Sequence, residues 1–424
     1  MFVADSDLSP INENIDKIIY GLTKWEPKRK TKGITAAQKI TVKGKDYEDA
    51  LSKMHYMFLR YMWSDGLPLF PPTEDRVNWI LRGTDLSRDT VVARILPGGR
   101  IASVESLAIS LAMTAGRPEY LPVLIAAIEA FTEPEFRHDW MNATTGSVYP
   151  GVIVNGPMAK QIRLNSGYSF LGPNPNFPAG GPIGRALRIV FMDVGGAIPG
   201  IGSLSISGVN RYTNMVFAED EDSLPSGWNP LSVDRGFPKG ENVVTVVPAC
   251  DYQHVMGANV STEESLRTVL GTYGRVMGYP NTGMGRCGVD EKKMSGMVLL
   301  PRRTASGFAE LGWSKEDVRK GLWENSKISW SEIKSAYRDD YIKSVIEQAG
   351  DVFVEGKPWP ISRTPEQIVI AIAGGDQSGH ASYVRFGGAS NYEVASKGIK
   401  LPAKEKWDEL LKEAEKEMGP VPAI

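Results

Sequence analysis

Apolar positions follow two rhythms along the chain. One is helical. Residues 47–62 carry Leu51, Met54, Met57, Phe58, Tyr61 and Met62 at helical spacing. Residues 118–131 open with a proline in the first turn and place Leu121, Leu124, Ile125, Ile128 and Phe131 on one face. Residues 331–348 repeat the pattern with Ile333, Tyr337, Tyr341, Val345 and Ile346, and residues 404–418 with Trp407, Leu410, Leu411, Ala414 and Met418. In that last segment Lys and Glu alternate on the outer face, which suits a docking helix. Thr73 can cap a helix through Val77 and Ile80, with Glu74 and Asp75 in its first turn.

The other rhythm is a short β-branched run that ends in a Gly, Pro or polar loop. Residues 91–96 run into 97–99, 152–154 into 155–157, and 187–192 into 193–196, although this third run also suits a helix. Residues 243–247 run into 248–254, 297–300 into 301–303, and 368–373 into 374–380. Strand runs alternating with helices predict an α/β fold with a mostly parallel or mixed sheet. Ligands in such sheets collect outside the carboxyl ends of the strands, so the site is expected in these loops.

Residues 1–45 are polar, with a basic run at 24–32, and read as a solvated arm. The expected division is an N-terminal arm and helix over 1–60, an α/β core over 61–395, and a C-terminal helix and tail over 396–424. The core suggests two similar lobes, about 61–150 and 151–395. The stripe of Met54, Phe58, Tyr61 and Met62 packs either on its own core or on a second copy, and we expect a homo-oligomer, most simply a dimer.

Composition narrows the class. Apolar residues are 42% and charged residues 23%, a globular mix. The 44 glycines and 28 prolines are about one residue in six, above the usual share of roughly 12%, and mark a loop-rich chain. Forty-eight basic against fifty acidic side chains give a net charge of −2, which argues against a nucleic-acid partner. The longest apolar runs fall short of the ~20 residues that span a bilayer, and the N-terminus lacks a secretory pattern, so no membrane association and a cytoplasmic location are expected. Cys250 and Cys287 are single thiols without a CxxC partner, which excludes a disulfide framework.

Among four histidines, His254 and His380 fall in the expected post-strand loops, where an imidazole serves as acid or base near neutral pH; a merely hydrogen-bonded surface histidine is the alternative. Cys250 stands beside His254 in sequence as a third catalytic candidate. Gly184 and Arg185, at a Gly-rich approach to a helix, have the ingredients of a carboxylate or phosphate site, and Gly98 and Gly99 share the Gly-Gly-x-Ile-small pattern. Tight helix–sheet packing accounts for the same glycines. No nucleotide-binding motif is present, and the cofactor is left unassigned. Asn155, Asn165 and Ser166, with Gly374, Gly375 and Ser382, add uncharged groups suited to orienting a small polar substrate, though Asn and Gly favour turns in any case. Residues 219–222, four consecutive acids, read as a solvated loop, with a divalent-cation site as the lesser alternative.

The stretch 155–196 (NGPMAKQIRLNSGYSFLGP…GGPIGRALRIVFMDVGG) resembles the large module of the UGSC family of selenocysteine- or cysteine-containing proteins. The resemblance extends over residues 61–390 and includes WSDGLPLFPPT at 63–73, AGRPEYLPVLIAA at 115–127, WNPLSVDRGF at 228–237 and AGGDQSGHAS at 373–382. That family takes its name from a selenocysteine-Gly-Ser-Cys motif in a small redox-like module. This chain has no Cys-Gly-Ser-Cys, so the resemblance implies that such chemistry comes from a small CGSC- or UGSC-containing partner. His254 and His380 match histidines of the family pattern, whereas Gly146 and Ser232 stand where it has others.

Together these readings predict an enzyme or enzyme subunit acting on a small polar or anionic organic molecule. The chemistry would be lyase, hydratase or thiol-assisted reductive cleavage, with His254 and His380 as acid/base groups and Arg185 as anion grip. A non-catalytic substrate-binding or scaffold subunit for a thiol or selenol partner is one alternative. A metal-dependent enzyme with His254, Asp251 and His380 as ligands is another.

Overall fold

Residues 7–24, 38–208, 215–278, 289–387 and 393–422 are described by the computed structural model. They fall into two units, 1–41 and 42–424. In the first, helices Ser9–Glu13 and Ile15–Thr23 bury no residue. Ile11, Ile15, Ile18, Ile19 and Leu22 recur at helical spacing and are exposed, so part of the expected arm is an amphipathic helix. Most of the basic run lies outside the described residues.

Among the described residues, the second unit holds nine strands: β1 (Val91–Ile95), β2 (Arg100–Ser103), β3 (Tyr149–Asn155), β4 (Val216–Ala218), β5 (Val243–Met256), β6 (Gly296–Leu300), β7 (Ile368–Ile372), β8 (His380–Phe386) and β9 (Ala395–Gly398). Seven form one mixed sheet in the order β4-β3-β5-β8-β6-β7, with β9 also on β5. The α/β expectation therefore holds. Two pairs are parallel, β3 with β4 and β6 with β7; all other pairings in the sheet are antiparallel. β1 and β2 stand apart as a two-stranded hairpin, so the run at 91–96 is not a strand of the main sheet.

β5 joins two half-sheets. Its first half, through Ala249, pairs with β3 and β9, and its second half, from Asp251, pairs with β8. The register shifts between Ala249 and Asp251, a bulge at Cys250. The segment 248–254, expected as a loop, is therefore strand. His380, expected in a loop, is the first residue of β8.

Burial follows from the pattern. β3, β6 and β7 are buried along their whole length, as continuous apolar runs require when both faces are covered. On the outer face, Val152, Val154, Val244 and Val246 pack beneath helices Val104–Met113, Leu121–Phe131 and Gly180–Ile189. On the same face of the second half-sheet, Val298, Leu300, Ile368 and Ile370 pack beneath helices Glu263–Gly278 and Lys315–Asn325. The inner face carries Tyr149, Ile153, Phe217, Val247, Met297, Leu299, Val369, Ala371 and Val384 in one shared cluster, so the sheet curls onto itself. At the mouth of the curl, the Asp220 N–H donates to the Ile372 carbonyl at 2.7 Å.

Helix predictions fare unevenly. Residues 47–60 and 404–418 are helices, and Thr73 caps Glu74–Leu81 through the Arg76 N–H. The run 187–192 is helical, the end of Gly180–Ile189 continuing into a π-turn, Val190–Val194. The expected helix at 331–348 is two, Trp330–Ala336 and Asp339–Ala349, separated by extended backbone at Tyr337 and Arg338. The C-terminal helix docks on the core through buried Trp407, Leu410 and Ala414 and a bidentate Arg82–Glu413 pair at 2.9 Å. Among the described residues, no helix is long and apolar enough to cross a membrane.

Candidate functional site

The predicted site residues sort into three places. The first lies on the second half of β5 and the start of β8. The bulge at Cys250 resets the alternation, so Tyr252, His254 and Met256 share the inner face with Val384, Ser382 and His380, their register partners. His254 Nε2 lies 3.0 Å from His380 Nδ1, with ring centroids 5.1 Å apart and planes tilted by 43°. One ring must donate and the other accept, so the facing nitrogens hold a single proton between them. Beside them, the Tyr252 and Ser382 hydroxyls are 2.9 Å apart. Burial, and then the like charge of His380, holds the His254 pKa below the ordinary histidine range.

Asp251 alternates to the opposite face, where Arg385 Nη2 stands 3.8 Å from its carboxylate. The proposed ligand set of His254, Asp251 and His380 is thereby undone. Among the described residues, no three His, Cys, Asp or Glu side chains gather around a metal position. Cys250 occupies the bulge, and its thiol donates to the Gly146 carbonyl at 3.2 Å. Burial raises its pKa, which keeps the thiol protonated and makes it a poor nucleophile. Cys287 lies outside the described residues.

The second place is where the carboxyl ends of β4 and β7 meet, with the end of β3 beside them. Asn155, fully buried at the end of β3, donates from Nδ2 to Glu219 at 2.7 Å and Glu221 at 2.8 Å. The Glu219 carboxylate also accepts the Leu231 N–H at 2.6 Å and the Ile372 N–H at 3.1 Å. The Asn165 carbonyl accepts from Ala218, and the Ser166 carbonyl accepts from Gly374. A Cβ at Gly375 would lie 2.1 Å from the exposed Tyr168 ring, so a side chain there would displace that ring. Asn155, Asn165, Ser166, Gly374 and Gly375 thus lie near one another at this edge. Glu219 and Asp220, expected in a solvated loop, are buried. Asn155 Oδ1, Asp220 Oδ2, Ser232 Oγ and Arg302 Nε are buried without a hydrogen-bond partner, with Asp220 3.7 Å from Arg302. Sequence reasoning missed Arg302. The one signal for the acids was their position directly after an apolar run.

The third place lies along helix Gly180–Ile189 and the π-turn that follows it. Arg185 Nε and Nη2 each donate to Asp65 at 2.7 Å, and Asp65 is almost wholly buried. That fork is spent on Asp65, which corrects the expectation that Arg185 grips a substrate anion. The Gly98 N–H donates to the Gly195 carbonyl at 2.7 Å, and Arg100 donates to the Asp193 carbonyl. Gly98 therefore serves close packing against Gly195, the alternative left open by the sequence, while Gly99 takes a positive φ of 71° in the hairpin turn and Gly184 is buried within helix Gly180–Ile189. A cavity of about 360 Å³ is lined by Asp65, Arg188, Met62, Met192 and Ile198 among others. Burial drives the Asp193 carboxyl up to about 7, against the opposing pull of Arg100. A cavity of about 630 Å³ elsewhere is lined by Glu129, Glu133, Glu241 and Lys397. Neither cavity takes in His254, His380 or Asn155.

No protein-family model, curated protein or solved structure matches the chain.

Proposed function

We propose that the protein is an enzyme acting on a small polar or anionic organic molecule, by lyase or hydratase chemistry, with His254 and His380 as its acid–base pair. The observation that carries this reading is the 3.0 Å contact between the two imidazoles on the inner face of the curled sheet. The ring that donates across this contact keeps the lone pair of its far nitrogen free to take a proton near neutral pH, and the Tyr252–Ser382 hydroxyl pair offers adjacent hydrogen bonds. The resemblance to the UGSC family stands beside it as a proposal. Since Cys250 is held as a thiol, thiol-assisted cleavage would use a small CGSC- or UGSC-containing partner, and a cytoplasmic setting belongs to the same reading.

The test is deuterium wash-in from D₂O into a panel of hydroxy and keto acids, followed by NMR. The wild-type protein should label at least one compound at the carbon next to the carboxylate. His254→Gln and His380→Gln should each slow labelling by about 10²–10⁴-fold. Labelling unchanged in both variants, or none with any compound, overturns the reading.

We also propose self-association. Met54 and Phe58 pack on Leu69, Met113 and Ile189, whereas Tyr56, Tyr61, Met62, Leu67 and Phe70 remain exposed. Light scattering should give a dimer mass that Phe70→Glu lowers; a monomer mass at micromolar concentration refutes the idea.

A further inference from the structure

We propose that His254 and His380 form a two-imidazole chelate for a divalent transition-metal ion, which enters in place of the proton held between their facing nitrogens. The donor atoms are His254 Nε2 and His380 Nδ1, 3.0 Å apart. Two metal–imidazole bonds of about 2.05 Å span about 2.9 Å when they meet at a right angle, and about 3.3 Å at the tetrahedral angle. The observed separation fits square-planar or octahedral binding with no opening, and tetrahedral binding with an opening of about 0.3 Å. A small swing of each ring about its soft χ2 turns the lone pairs from one another toward a common point.

The backbone prepares this arrangement. The two histidines sit diagonally on adjacent strands of an antiparallel ladder, His254 opposite Ser382 and His380 opposite Met256, so the β5–β8 hydrogen bonds fix both Cα positions. His254 is exposed and its neighbour Met256 is 67% exposed, which leaves the remaining coordination positions open to water or a small ligand. Two neutral nitrogen donors with no carboxylate among them favour Cu²⁺, Ni²⁺ and Zn²⁺ and disfavour Mg²⁺, Ca²⁺ and Mn²⁺. Binding moves the bridging proton, by way of solvent, to the far nitrogen of the ring that had donated it, so both imidazoles stay neutral and nothing is oxidised or reduced. His138 is a different case, since it is buried and its Nε2 already accepts the Leu96 N–H at 3.1 Å. The proposal uses the same pair as the acid–base reading but does not depend on it.

The test is calorimetric titration of the untagged full-length protein with NiCl₂, ZnCl₂ and MnCl₂ near pH 7.5. One Ni²⁺ or Zn²⁺ should bind per chain, with Mn²⁺ far weaker. His254→Gln and His380→Gln should each weaken binding by about a hundredfold, while His55→Gln leaves it unchanged, and circular dichroism checks that each variant is folded. On the wild-type protein, the electron paramagnetic resonance spectrum of one equivalent of Cu²⁺ should show coupling to two imidazole nitrogens. Absence of saturable binding, equal affinity for Ni²⁺ and Mn²⁺, or retention of the ion in the folded double variant overturns the chelate. Each of these results leaves deuterium wash-in by the metal-free protein to be judged on its own.

Discussion

Asp193 and Asp65 lie near each other and behave in opposite ways. Asp65 is almost wholly buried, yet both of its oxygens meet the Arg185 fork. Asp65→Asn removes one charge of that pair and should cost about 2 kcal/mol in a urea melt, less than the ~3–5 of a fully buried pair because Arg185 keeps some contact with water. Arg185→Lys should behave similarly, since an ammonium cannot replace a bidentate fork. Asp193 has a folded-state pKa raised from the ordinary carboxyl range to about 7, chiefly by burial. The folded protein then binds more protons than the unfolded chain between about pH 4 and 7, so this residue's contribution to stability falls as pH rises through that window and stays low above it. Asn at 193 should flatten the slope and stabilise the protein at pH 8 by about 2 kcal/mol, read from melts at pH 5 and pH 8; an unchanged slope contradicts the assignment. None of this was legible in the sequence. Arg185 looked like an anion grip because a guanidinium at a Gly-rich helix start has that chemistry, and its partner lies 120 residues away.

Elements were more legible than their pairings. The runs that became β3, β6 and β7 are uninterrupted apolar segments, and burial on both faces makes such segments easy to read. β5 was seen only to Val247, because Pro248 and the polar alternation after it resemble a loop. The structure tolerates that proline by setting it opposite Pro150, which confines the missing donors to one rung. The bulge that follows decides which face His254 occupies, since a slip of one residue would carry it to the side of Asp251 and Arg385. Choosing the two histidines needed only their nearness to strand runs. Finding that they touch needed the register between segments 126 residues apart. The acidic residues after β4 carry a role that local pattern hides. Glu219 accepts hydrogen bonds from Asn155, Leu231 and Ile372, fastening the end of β4 to those of β3 and β7. Glu219→Gln turns one acceptor oxygen into a donor facing donors, and we expect a loss of about 3 kcal/mol in chemical denaturation. Faster hydrogen exchange at the Ile372 amide should accompany it. A loss below about 0.5 kcal/mol would show that the contact does not hold the mouth of the curl.

At the scale of the whole molecule, the α/β class and the docking of the C-terminal helix followed from the two hydrophobic rhythms, whereas the curl of the sheet depends on contacts no local window contains. β5 also has a consequence for synthesis. Its second half leaves the ribosome roughly 120 residues before β8, the strand it pairs with, which at about 5–20 residues per second is an interval of about 6–25 s. Throughout that interval the growing chain carries a bare strand edge, the kind of surface that recruits other chains. Asp251, Gln253 and His254 are exposed along it. Their polarity, which makes the segment read as a loop, is also what lets an unpaired strand wait in water without aggregating.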